Sequence, residues 1–137
     1  MNMAVRVASR YIKLSKEINF EKYGRDYIGY KVMNYDPTTK TLNSGADSRI
    51  KLDAKRNTIH TMKGKGVFLS NSKEYVLDYY AYNEYNAVIK YAFSLDDLAG
   101  TKWQQQLYDR EPEITVRKAK VLQIEIYDED HNLIDTI

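Results

Sequence analysis

Two glutamates, Glu111 and Glu113, flank Pro112 in the stretch REPEITV, at the mouth of a β-type run. In extended backbone, residues two apart project to the same face, so the two carboxylates would stand together. Such a pair can divide labour. One carboxylate orients or deprotonates a nucleophile, while the other holds a ribose hydroxyl or steadies an oxocarbenium-like centre. Pro112 restricts Glu111 and lacks a ladder donor, which sets this stretch at an edge or a strand start. Three further polar groups precede the pair. Lys31 follows Tyr30 in an aromatic run, and Ser70 and Ser72 sit where the apolar run VFLSNS ends. The same residues also suit plainer work: the glutamates as solvent-facing groups, the serines as helix caps, and Lys31 as an exposed strand residue.

Other chemistries find less material. The chain of 137 residues has no cysteine, which excludes disulfides, thiolate zinc sites and a cysteine nucleophile. Its two histidines, His60 and His131, are far apart. His131 shares a turn with Asp128, Glu129 and Asp130, but the spacing matches no calcium loop, and no metal site is expected. There is neither a G-x-x-x-x-G-K-[ST] phosphate loop nor a G-x-S-x-G nucleophile elbow. GKG, residues 64–66, could bring backbone amides to a phosphate or simply bend the chain into a strand. Lys and Arg number 21 against 19 Asp and Glu, a net charge of +2. That balance argues against nucleic acid as the partner. No apolar run reaches the length of a membrane span, and residues 1–19 lack the apolar core of a signal peptide.

The elements that must position these groups follow from periodicity. In MAVRVASRYIKLSKEIN, Val7, Tyr11, Leu14 and Ile18 recur at helical steps, and Arg6, Arg10, Lys13 and Lys16 form a basic side. DYIGYKVMNYD, residues 26–36, reads as a strand, and DPTTK turns the chain with Asp36 bonding the backbone. Residues 41–65 are weakly patterned and suggest an irregular connection or a lid, with RIKLD and TIHTM as short strand candidates. GVFLS is a short buried strand. NSKE after it forms a capping box, with Asn71 as cap and Glu74 reaching back, ahead of a helix over residues 73–82. NAVIKYAFS alternates as a strand with Ala87, Ile89, Tyr91 and Phe93 on one side. SLDDLAG is a capped turn, TKWQQQLYDREP a polar loop, and EITVRKAKVLQIEIYD one long strand or two bent ones. EDHN and LIDTI close a hairpin. The expected fold is α+β: one domain over 1–137, with an N-terminal helix or arm (1–20). Its core (26–137) is a mostly antiparallel or split sheet with a central helix.

The order Lys31, Ser70/Ser72, Glu111/Glu113 resembles that of mono-ADP-ribosyltransferases. That family has an arginine or histidine on its first strand, a serine on the second and a catalytic glutamate on a third. The resemblance implies an ADP-ribosyltransferase-like fold and NAD as cofactor. Glu113 would be the catalytic glutamate and Glu111 its companion. Lys31, Ser70 and Ser72 would line the cofactor site, and Tyr79 would pack on nicotinamide. Lys31 stands where the family has arginine or histidine, and lysine lacks their planar grip on phosphate or ribose. Residues 29–128 also resemble a group of small uncharacterised bacteriophage proteins, which implies an infected bacterial cytoplasm or a virion as the location.

Two functions follow. The first is a phage-type accessory protein that binds or inhibits a host or phage macromolecule, with a protein as the expected partner. Thirteen tyrosines against three phenylalanines supply amphipathic rings for recognition, or simply fill a β-rich domain. The alternative is NAD-dependent mono-ADP-ribosylation of a host target. It requires Lys31, a serine and Glu113 to converge on one cleft.

Overall fold

Aromatic and β-branched residues dominate the runs that extend, and ten strands result among the described residues. The computed structural model describes residues 20–44, 47–62, 66–83, 85–98 and 113–137. In chain order the strands are β1 (Lys22–Tyr23), β2 (Asp26–Asp36), β3 (Thr41–Ser44), β4 (Asp47–Asp53), β5 (Ile59–Thr61) and β6 (Val67–Ser70). After one helix, α1 (Lys73–Asn83), come β7 (Ala87–Phe93), β8 (Glu113–Val116), β9 (Lys118–Tyr127) and β10 (Leu133–Thr136).

All ten strands form one sheet, and every strand pairing among the described residues is antiparallel. From β2, one route runs through β7 to β9 and the other through β6 to β8. β8 and β9 are two halves of one run, broken only at Arg117. Two routes that leave one strand and end on consecutive strands oblige the sheet to curl, and it forms a half-barrel. The bend is pinned on both sides: the Arg117 amide donates to the Asp97 carbonyl and the Arg117 carbonyl accepts from the Met62 amide.

The concave face holds the main core. Tyr27 and Met33 of β2, Leu69 of β6, Ile114 and Val116 of β8, and Ala119, Val121, Ile124 and Ile126 of β9 are buried there. β7 contributes Ala87, Ile89, Tyr91 and Phe93, with Phe93 stacked on Tyr27 and edge-on to Phe20. Val88 and Ala92, on the other face of β7, are buried as well, so this central strand is covered on both sides. A Cβ on Gly29 would lie 2.8 Å from the Leu69 Cβ and 3.3 Å from Phe93, so the glycine lets β6 cross close over β2.

The expected α+β architecture, and its ADP-ribosyltransferase-like form, are overturned: among the described residues the protein is mostly β, with one short α-helix. The helix expected over residues 1–20 lies, apart from Phe20, outside the described residues, as does the polar loop TKWQQQLYDREP. In the weakly patterned region 41–65 the two strand candidates hold: RIKLD lies in β4 and TIHTM contains β5. The expected irregular connection is replaced in the described part by β3, β4 and β5, because Leu42, Leu52, Ala54 and His60 all turn into the core. Local turn chemistry follows the sequence closely. The Asp36 carboxylate accepts from the Thr38 amide at 2.9 Å, which holds its pKa below the ordinary value. Asp128 accepts from the Asp130 and Asn132 amides and shapes the β9–β10 turn. Among the described residues, no helix is long and apolar enough to cross a membrane.

Candidate functional site

β2, β6 and β8 bring three of the six expected site residues, Lys31, Ser70 and Glu113, to adjoining strands. Tyr30 pairs with Ser70, and Ser70 pairs in turn with Glu113, so the three share one cross-strand row. Lys31 does not join them. Side chains alternate along a strand, so Lys31 faces the side opposite Tyr30 and Ser70. It shares the concave side with Gly29, Met33 and its cross-strand partner Ile89. Glu111 lies outside the described residues, and Tyr79 falls within α1.

The serines have structural partners. The Ser70 Oγ, buried, accepts from the Ser72 amide at 3.1 Å. The Ser72 Oγ accepts from the Tyr75 amide at 3.2 Å and donates to Glu74. Ser72 is therefore the helix cap, as the plainer reading of the serines expects, and not the Asn71 of the capping-box pattern. The helix begins at Lys73 as expected, and the Ser70 bond to the Ser72 amide tightens the turn before it. Replacing Ser72 by alanine should lower stability by about 1 kcal/mol, and Ser72→Asp should restore it. Thermal unfolding of the two variants beside wild type checks this; an unchanged midpoint in Ser72→Ala would mean that the cap is idle.

α1 lies across the convex face and builds a second cluster that motif reading missed. Val32 of β2, Val76 of α1 and Val88 of β7 are buried at its centre. Tyr30, Tyr75, Leu77, Tyr85 and Tyr127 pack around them and remain half-exposed. Lys73, on the first turn of α1, forms an ion pair with Glu125 of β9 and clips the helix to the sheet. The bond to Glu125 raises the Lys73 pKa, and burial raises those of the Tyr30 and Tyr127 phenols. Near neutral pH the lysine therefore stays charged and both phenols stay protonated. The cluster therefore offers neither an amine nucleophile nor a phenolate base. The available signal was the alternation in QIEIY, which puts Gln123, Glu125 and Tyr127 on one face.

His60 lies in the main core, with its ring edge-on to Tyr91. It is 2% exposed, with Nε2 2.6 Å from the Asp53 carbonyl and Nδ1 2.7 Å from the Tyr91 hydroxyl. A carbonyl only accepts, so Nε2 carries the proton and Nδ1 accepts from the Tyr91 O–H. Burial lowers the His60 pKa and raises that of Tyr91, so both are held neutral. The pair ties β5 and the end of β4 to β7. Among the described residues, no group of three or more His, Cys, Asp or Glu is placed to hold a metal ion.

Comparison with known proteins adds no relative: no family model, curated protein or solved structure matches the chain.

Proposed function

We propose that the protein is a non-catalytic binding module that recognises another protein through the tyrosine-bearing convex face of α1, β2, β7 and β9. The observation that carries this reading is the set of four half-exposed tyrosines, Tyr30, Tyr75, Tyr85 and Tyr127, around one buried valine cluster. Rings seated on a rigid base lose little freedom on binding. The Lys73–Glu125 pair fixes the helix, so the face is preorganised. The likeness to small phage proteins supports a host or phage macromolecule as the partner, met in an infected cytoplasm or a virion. The catalytic alternative loses its support because Lys31 and Ser70 lie on opposite faces of the sheet and both serines are engaged within the turn and cap.

The test starts with affinity capture from bacterial lysate by the full chain. The captured protein, once purified, is titrated against wild type, Tyr75→Ser and Tyr127→Ser. Loss of a hot-spot tyrosine should weaken binding by about tenfold or more, with the near-ultraviolet circular dichroism of each variant intact. Equal affinity for all three proteins would remove this face from recognition. Release of nicotinamide from NAD by the full chain, abolished in Glu113→Gln, would replace the binding reading with a catalytic one.

A further inference from the structure

β5 and β10 lie end to end along the same margin of β9. β5 and the residues before it cover β9 from Lys118 to Val121, and β10 with Ile137 covers it from Ile124 to Tyr127. Among the described residues, neither β5 nor β10 pairs with any strand but β9. Three of the five large apolar side chains exposed on the described surface lie on this margin: Ile59 at 48%, Leu133 at 51% and Ile134 at 62%. Isolated exposed aliphatics are ordinary, but three aligned along one sheet edge are not how an edge is usually protected.

Charge is segregated along the same line. The β5 half carries Lys55, Arg56, Arg117, Lys118 and Lys120, and the β10 half carries Glu129, Asp130 and Asp135. Counted outward from a midpoint between Leu122 and Gln123, Arg117 and Lys118 fall as far out as the β9–β10 turn that carries Glu129 and Asp130. A twofold rotation about that midpoint would lay the basic half of one copy against the acidic half of another, twice. A uniformly basic or acidic partner would match only half the margin and be repelled by the rest.

We infer that two copies of this chain associate side by side and antiparallel along the β5–β10 margin. The interface is isologous, as closed dimers require. The aliphatics supply the attraction, because exposed ion pairs contribute little each, and the charges set orientation and register. Contact is through side chains more than through a continued ladder: the Thr136 amide, at the edge, already donates to its neighbour's Asp135 carboxylate. This margin adjoins the tyrosine-bearing face at Tyr127, the cross-strand partner of Leu133.

Sedimentation velocity on the full chain over a wide range of concentration tests the inference. Wild type should show a reversible monomer–dimer equilibrium, and Ile134→Asp should raise its dissociation constant by about tenfold or more. Two charge variants complete the test, an acidic one (Arg117→Glu with Lys118→Glu) and a basic one (Glu129→Lys with Asp130→Lys). Each alone should sediment as monomer, and an equimolar mixture should recover the dimer, because the two reversals restore both contacts. Recovery on mixing also shows that both variants are folded. A monomeric wild type at every concentration overturns the inference. So does a wild-type dimer that all three variants leave equally tight, or a mixture that stays monomeric.

Discussion

Replacing Gly66 with alanine should cost the protein about 2–4 kcal/mol of stability and lower its thermal midpoint by on the order of 10 °C. Gly66 begins the approach to β6 with φ +84°, a conformation that an L side chain adopts only with strain. The space is closed as well. A Cβ there would overlap the Val116 carbonyl oxygen and stand 3.2 Å from the Thr115 methyl. The obstacle is backbone, and that backbone is β8, paired to β6 through Val67 and Val116, so it cannot yield without opening the curl of the sheet. Gly24 provides the control. It too has positive φ, +62°, but nothing lies within 4 Å of a Cβ built on it. Gly24→Ala should therefore show the dihedral cost alone, about 1 kcal/mol. Urea denaturation of both variants separates the two contributions. If Gly66→Ala costs no more than Gly24→Ala, the close approach to Val116 does not constrain the fold.

The second large effect concerns His60. Its folded pKa lies below the unfolded value because burial disfavours the imidazolium. The unfolded chain therefore takes up a proton first as pH falls. The stability contributed by neutral His60 is fully present above about pH 6.5 and is lost as pH falls from there towards the folded pKa. Between about pH 7.5 and 5.5, one proton bound by the unfolded state alone removes about 1 kcal/mol. Tyr91→Phe should act differently. It deletes the donor to Nδ1 and leaves a buried acceptor unpaired, at a cost of about 1–3 kcal/mol. His60→Gln should lose stability at the higher pH and also lose the pH dependence over this window. Urea midpoints of the three proteins at the two pH values decide the matter. Identical wild-type midpoints would mean that His60 titrates alike in folded and unfolded chains and does not latch β5.

Both effects arise where local pattern meets a distant neighbour, and the same division runs through the whole reading. Alternation in NAVIKYAFS places Ala87, Ile89, Tyr91 and Phe93 on one side, and all four are in the main core. The run at residues 26–36 is β2 with the same bounds, and the break in EITVRKAKVLQIEIYD falls at Arg117. The helix after SNS is legible, and its cap is Ser72, one of the two serines that could serve, and not the Asn71 of the capping-box pattern, because the turn set by the Ser70 bond to the Ser72 amide decides which side chain reaches the first helical amides. The preponderance of strand is less legible: RIKLD and TIHTM stand out as strand candidates, TLNS does not, and the extent of β3, β4 and β5 is fixed only once they are paired.

The candidate site shows the limit most plainly. Lys31, Ser70 and Glu113 were ordered along the chain as a cleft would order them, and pairing does put Ser70 across from Glu113. The face on which each strand presents its residues depends on register, and a shift of one residue exchanges the two faces. With Tyr30 opposite Ser70, Lys31 must turn to the concave side. The tyrosine-bearing face is likewise assembled from β2, α1, β7 and β9, and no window of the chain contains it. By itself the sequence determined what is local: strand periodicity, turn residues, the absence of thiol chemistry and the near balance of charge. Only the tertiary structure decided which strands are neighbours and which faces they share, because register is set by contacts between residues far apart in the chain.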